Sequence, residues 1–236
     1  PMGMLTNRKI NQFDSNITHY QMMKDIQNQW KEWATDSPVI FISHNGARFD
    51  EERIRRQFWC NLLEPYVTNT NGNGRLDSMI MFHNIASFFS DKVSIPFHEG
   101  GPSISVALGN LASEHDIDVS DAHDAIADCK LMIGLCRIIQ NKVPNVFESF
   151  INISTKDGIK NLLNADEFLA LGEVYRRHVF KYPVVLCGSD NTRANDICLY
   201  DLSFDPEEIL GLDFSEINKL IQSGGRDQPL KKYKIN

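Results

Sequence analysis

Long hydrophobic runs are missing from this sequence. No apolar stretch approaches the ~20 residues a helix needs to cross a bilayer, and no signal-peptide pattern opens the chain. Both absences predict a protein without a membrane partner. Cysteine is sparse too: Cys60, Cys129, Cys136, Cys187 and Cys198 never form a C-x-x-C pair, which argues against a zinc site. Three of the five sit inside apolar runs, which predicts buried free thiols in a reducing, cytoplasmic compartment rather than disulfides. Positive charge is scarce: 24 Lys and Arg face 31 Asp and Glu, for a net charge of −7. That balance argues against holding duplex DNA by surface charge alone, yet leaves room for a local basic groove beside acidic metal ligands. Internal repeats and low-complexity tracts are also lacking.

What remains is ordinary globular composition, 42% hydrophobic and 23% charged over 236 residues, enough for one sizeable core with a small second domain. Residues 1–37 are polar, with one helix expected around Tyr20–Trp33. Val39-Ile40-Phe41-Ile42 is a continuous apolar run bounded by Pro38 and Ser43-His44-Asn45-Gly46, the pattern of a strand buried on both faces. Asp50-Glu51-Glu52 then opens a helix with an apolar stripe at Ile54, Phe58 and Leu62. Further helices are expected from Asp77, over Ser105–His115, and from a Ser120/Asp121 cap. In this last helix Ile126, Cys129, Met132, Ile133, Cys136 and Ile139 are expected to face the core. Beyond it, Val184–Cys187 and Ile197–Leu202 read as strands joined by a polar turn. Asp205-Pro206 starts a short helix, and Asp213 with Glu216 forms a capping box closed by Gly224-Gly225.

Chemistry concentrates in Ser120-Asp121-Ala122-His123-Asp124-Ala125-Ile126-Ala127-Asp128. With successive helical residues turned by about 100°, Asp121, Asp124 and Asp128 fall on nearly one face. Three carboxylates on one stripe repel unless a cation sits there, and a hard ion such as Mg²⁺ suits oxygen ligands. A histidine at the helix start can take a proton from a metal-polarised water. The plainer reading is that these acids only cap the helix and complement its dipole, but Asp128 stands too far in to be a cap. In the second stretch, His44 to Glu52, Asp50 reads equally well as an N-cap or as a carboxylate placed after a strand end, where α/β sheets carry functional loops. Arg53, Arg55 and Arg56 follow it, then Tyr66. Arginines and an aromatic beside a metal site suit a phosphate backbone and a stacked base, though an arginine run on a helix is also an ordinary solvated face.

Together, Asn45 to Asp50 (N-x-x-x-F-D) and His123 to Asp128 (H-D-A-x-A-D) resemble the DEDDh exonucleases. HNGARFDEERIRRQFW, Pro65-Tyr66, the Arg75-x-Asp77 pair and AHDAIADC in order are similar to bacterial exonuclease I. The similarity runs on through the segment from Val184, including Cys198–Leu202 and Asp205-Pro206. The resemblance implies an α/β, ribonuclease H-like exonuclease domain with a mixed sheet and flanking helices over 1–150. A helical linker would follow over 151–182, and an SH3-like β-containing domain over 183–236. It implies hydrolysis of single-stranded DNA from the 3′ end with two Mg²⁺ ions per site. Carried over, Asp128 ligates metal directly and Asp50 supports the second metal. His123 is the general base, and Asp124 orients the site. Asn45, Phe49, Arg55, Tyr66 and Arg75 contact the strand, and single-strand-binding protein is a further partner.

The sequence departs from that pattern in places. The family's D-x-E motif has no counterpart upstream of Asp50, where the acids are Asp14, Asp25, Glu32 and Asp36. Ala107 falls where a basic residue is common in the family. The Pro1 start and the stop within an expected strand at Lys231–Asn236 give the expectation of a chain cut at both ends: a nuclease domain incomplete at its N-terminus, an SH3-like domain incomplete at its C-terminus, and no C-terminal helical domain. Two other functions stay open: a non-catalytic single-strand or partner-binding module, and an RNA-trimming exonuclease.

Overall fold

The structure, a computed structural model, describes residues 16–98, 101, 103–120, 124–165, 168–190, 192–193, 195–223 and 227–235. The chain divides into two compact units, residues 1–41 with 46–74 and residues 42–45 with 75–236. Helix α1 (His19–Trp33) in the first unit is opened by Thr18, whose hydroxyl accepts from Gln21 N at 3.1 Å. Its inner face buries Met23 and Gln27, and the Gln27 amide donates to Glu64 O at 2.7 Å, so a polar side chain enters the core with its donor satisfied. Trp30 meets Phe41 at 5.2 Å and Phe58 edge-on at 5.6 Å. Edge-on packing of this kind adds ~0.5–1.5 kcal/mol per pair beyond area burial.

Strand β1 (Ile40–Ser43) pairs with β2 (Gly74–Asp77) in a two-stranded sheet, and the boundary between the units falls within both strands. The run at Val39–Ile42 is therefore a strand, but each residue of β1 is only half-buried, not covered on both faces. Helix α2 (Asp50–Cys60) buries Phe58 fully. Leu62 does not extend its stripe: it lies past the helix end with φ 56° and is 96% exposed. The cap position is held by Phe49, so Asp50 is the first helical residue, with Glu51 and Glu52 beside it in the first turn.

In the second unit, α3 (Ser78–Phe88) is capped by Asp77 and buries Met81, Phe82 and Ile85. Helix α4 (Leu108–Glu114) packs on α5 (Ala125–Lys142), and α5 on α6 (Pro144–Asn152). Asp124, not Ser120 or Asp121, caps α5, accepting at Oδ1 from Ile126 N and Ala127 N at 3.0 and 3.3 Å. Asp121 lies outside the described residues. The core stripe of α5 is Leu131, Leu135 and Ile139, whereas Ile126, Cys129 and Ile133 are exposed. Apolar residues occur on more than one face of this helix, so spacing alone leaves its phase open.

Helix α7 (Lys156–Ala165) leads into a four-stranded antiparallel meander of β3 (Leu169–Tyr175), β4 (His178–Ser189), β5 (Asp196–Asp201) and β6 (Leu230–Lys234). The helical expectation for 151–182 holds only in part, because the chain is already a strand at Leu169. Tyr182, Val184, Ile197, Leu199 and Ile235 form the core of one face. Helix α3 packs against β3 so closely that a Cβ at Gly172 would lie 2.5 Å from Ser87 Oγ and 2.7 Å from its Cβ. Two short helices, α8 (Glu207–Leu210) and α9 (Phe214–Ser223), stand between β5 and β6. The capping box at α9 is reciprocal: Asp213 N donates to Glu216 Oε2 and Glu216 N to Asp213 Oδ1, both at 2.9 Å. Gly224 and Gly225 lie outside the described residues. The cysteines are not buried as expected: Cys60, Cys129 and Cys187 are exposed, and Cys136 and Cys198 half-buried.

Candidate active site

The candidate residues divide between the units, with Phe49, Asp50, Arg55 and Tyr66 in the first and Asn45, Arg75, Asp124 and Asp128 in the second. His123 lies outside the described residues. In the first unit Asp50 is exposed at the start of α2, where the helix dipole favours a carboxylate. The arginines behind it are less available than a bare count suggests. Arg56 pairs with Glu52 at 2.7 Å and Arg55 with Glu51 at 3.4 Å, each one turn away, and the Arg53 guanidinium lies 3.8 Å over the Phe49 ring. Arg55 also faces the Tyr66 ring at 5.8 Å. Phe49 and Tyr66 are both about half exposed, as a stacking role requires. An open recess of about 280 Å³ is lined by Arg55, Arg56, Trp59 and Tyr66. The sequence reading passed over Trp59, one turn beyond Arg55 and 72% exposed. Its signal was the placement of a bulky aromatic on the charged side of an amphipathic helix.

In the second unit the turn after β1 is tied down by α3. Asn45 takes a left-handed conformation, φ 61°, which asparagine tolerates better than most residues. Its backbone N–H donates to Asp77 Oδ1 at 2.7 Å, and the same oxygen accepts from Met79 N at 3.0 Å. The contact of Asn45 seen here is thus a backbone one. His44, unassigned from the sequence, spans three segments: Nδ1 lies 2.9 Å from Ser78 Oγ and Nε2 2.9 Å from Val106 O. A carbonyl only accepts, so Nε2 carries the proton and donates to it. Burial holds the pKa of His44 below its ordinary value, against smaller raising effects of the Val106 carbonyl and of Asp77. The Ser78 hydroxyl has a single proton and donates it to Ser43 O at 3.0 Å, so His44, Ser78 and Ser43 form one connected chain of polar contacts. Arg75 joins this region through its backbone, N to Ser154 O at 2.9 Å.

Asp128 stands half-buried in the first turn of α5, its N–H bonded to Asp124 O at 2.9 Å. Of the three carboxylates expected on one face, Asp121 lies outside the described residues. Asp124 is the cap, outside the helix, with Oδ1 committed to backbone N–H groups, and Asp128 is the acid that the helix itself presents. Among the described residues no group of three or more His, Cys, Asp or Glu side chains is placed to hold a metal ion. The available donors, carboxylate oxygens, are of the kind a hard divalent cation takes. On the four-stranded sheet a second recess of about 670 Å³ is lined by Arg176, His178, Lys232 and Tyr233 together with Glu173 and Asp227, a surface of mixed charge that the sequence did not reveal. No helix among the described residues is long and apolar enough to cross a membrane.

This order of elements, an α/β part followed by an antiparallel sheet, is the fold of exonuclease I. A solved exonuclease I from Methylocaldum szegediense superposes with a TM-score of 0.77 over 98% of this chain and 50% of that one, at 22% identity. E. coli exonuclease I in complex with a dA16 oligonucleotide gives 0.72 over 92% and 48%, at 21% identity, and an ExoI/SSB-Ct complex gives 0.74 over 100% and 51%, at 19% identity.

In sequence the chain is similar to exodeoxyribonuclease I. It is 26% identical to that of Haemophilus influenzae over 210 residues, covering 83% of this chain and 44% of the relative. It is 27% identical to that of Buchnera aphidicola over 188 residues, covering 78% and 36%. The chain thus spans less than half the length of these curated relatives. No family model matches it.

Proposed function

We propose that this chain carries part of the machinery of a Mg²⁺-dependent 3′→5′ exodeoxyribonuclease acting on single-stranded DNA. The observation that carries the reading is the coincidence of the exonuclease I fold with Asp128, the last residue of the H-D-A-x-A-D stretch, in the first turn of α5. Fold alone does not fix function, so the weight rests on that carboxylate. Asp128 would hold a metal directly and Asp50 would support a second one. The ions supply charge neutralisation of the scissile phosphate and a more acidic water. Asp124 fixes the first turn of α5 and hence the direction in which Asp128 points. His123 would take the proton, and Arg55, Tyr66, Phe49, Arg75 and Asn45 would line the path of the strand. The exposed aromatics Phe49 and Tyr66 suit bases that stack. The four-stranded sheet would correspond to the SH3-like domain, and the SSB-Ct complex of a structural neighbour makes single-strand-binding protein a partner to try.

The test is release of mononucleotides from labelled single-stranded DNA with Mg²⁺, beside Asp128→Asn. Release confined to the unsubstituted chain is the expected result. Equal release by both overturns the role of Asp128. No release by either removes catalysis from this chain and leaves a second reading, a single-strand-binding module. That module would keep its affinity for the strand in Asp128→Asn.

A further inference from the structure

Strands β4 and β5 pair with an irregularity at their middle. Leu186 pairs with Leu199 and Gly188 with Cys198, so Cys187 is the extra residue of a β-bulge. In such a bulge two residues of one strand stand against one of the other; here Cys187 and Gly188 stand against Cys198. Leu186 and Leu199 both pack into the core face of the sheet. Alternation along each strand then turns Cys187 and Cys198 to the opposite face, side by side. Their accessibility agrees, Cys187 being exposed and Cys198 half-buried. So does their electrostatics. After burial, the neighbouring Cys187 is the next cause that raises the Cys198 thiol, and it also acts on Tyr200, the next residue of β5 on that face. Gly188 is the register partner of Cys198, and paired residues of neighbouring strands have Cα atoms about 4.5–5.5 Å apart; Cys187 is the adjacent residue along the bulged strand, on the same face. Cys129 and Cys136, by contrast, are seven residues apart on α5, roughly 10 Å along the axis and out of bridging reach.

We propose that Cys187 and Cys198 are a cross-strand dithiol that exchanges with low-molecular-weight disulfides to form a reversible intrachain disulfide. With oxidised glutathione as the oxidant, the Cys187 thiolate attacks one glutathione sulfur. A Cys187–glutathione bond forms and one glutathione leaves as thiolate, taking up a proton. The Cys198 thiolate then attacks Cys187 Sγ, closes the protein disulfide and expels the second glutathione. Two electrons and two thiol protons pass from the protein to the glutathione pair. The more exposed Cys187 meets the reagent, and Cys198, shielded on its strand, resolves the adduct.

The native chain is incubated with oxidised glutathione, quenched with acid, alkylated and mapped by peptide mass. The expected product is a peptide linking Cys187 to Cys198, lighter by two hydrogens, with Cys60 and Cys129 alkylated or carrying glutathione. Cys198→Ser should trap glutathione on Cys187, and Cys187→Ser should give no cross-link. The same reaction in denaturant scrambles pairing among all five cysteines and sets the statistical background. Persistent glutathione on Cys187 of the native unsubstituted chain, with Cys198 still open to alkylation, overturns the proposal. A link no more frequent than in denaturant does so as well.

Discussion

At the scale of single residues, Asp124 does two things that an activity assay alone would confuse. Its carboxylate caps α5 and, in the proposed site, fixes the turn that carries Asp128. Asp124→Ala should lose about 1 kcal/mol in urea unfolding, the usual cost of a missing cap. Asn is as good a cap as Asp, so Asp124→Asn should unfold with the unsubstituted midpoint while nuclease activity falls if the charge is needed. His44 offers a second residue-level test. Its folded pKa lies below the ordinary 6.5, so protonation favours the unfolded chain. Stability should be intact above pH 6.5 and decline as the pH falls below it, toward the lower folded value. Urea midpoints at pH 7.5 and 5.5 measure that loss, and His44→Gln should shrink the difference between them.

At the scale of elements, legibility in the sequence follows how local the signal is. Asp77, Asp213 and Glu216 announced their helices because a cap is an affair of three or four neighbouring residues. Val39–Ile42 and the β5 run announced strands for the same reason. The phase of α5 and the cap at Asp124 stayed hidden, since Ser120, Asp121 and Asp124 are all good cap residues and only packing on α4 and α6 selects among starts. Strand β3 escaped notice because Leu169–Tyr175 carries Gly172 and Glu173 at its centre. That glycine belongs to the packing, not to a turn: it lets α3 lie on the sheet with Ser87 against its Cα. Gly172→Ala should therefore cost about 1–3 kcal/mol, the range of an overpacked core. Combining it with Ser87→Gly should return a good part of that, read as a coupling in a double-mutant cycle of thermal midpoints. In the candidate site, the carboxylates and arginines could be read from motif spacing. The Glu51–Arg55 and Glu52–Arg56 pairs and the His44 bridge needed coordinates, because they depend on which rotamers meet.

At the scale of the whole molecule, the unit that holds the four-stranded sheet is fastened by an ion pair out of water. Lys231 Nζ lies 3.4 Å from Asp201 Oδ2 with both side chains at most 5% exposed, and 4.0 Å over the Tyr182 ring. Removing one partner strands the other charge, so Lys231→Met should lower global stability by about 3–5 kcal/mol. Asp201→Leu with Lys231→Met should be far milder than that single change. Differential scanning calorimetry of both variants beside the unsubstituted chain checks the order. The strand that carries this lysine bears on solubility. Strand β6 pairs on one side only with a described strand, and such an edge is a template on which other chains can add strands and grow into aggregates. Lys232 and Lys234 are exposed along β6, and a docked strand would have to strip water from both ammonium groups, which penalises that addition. On this account Lys232 and Lys234 guard the chain against its own copies, a protection that the bonding pattern of the folded monomer does not require.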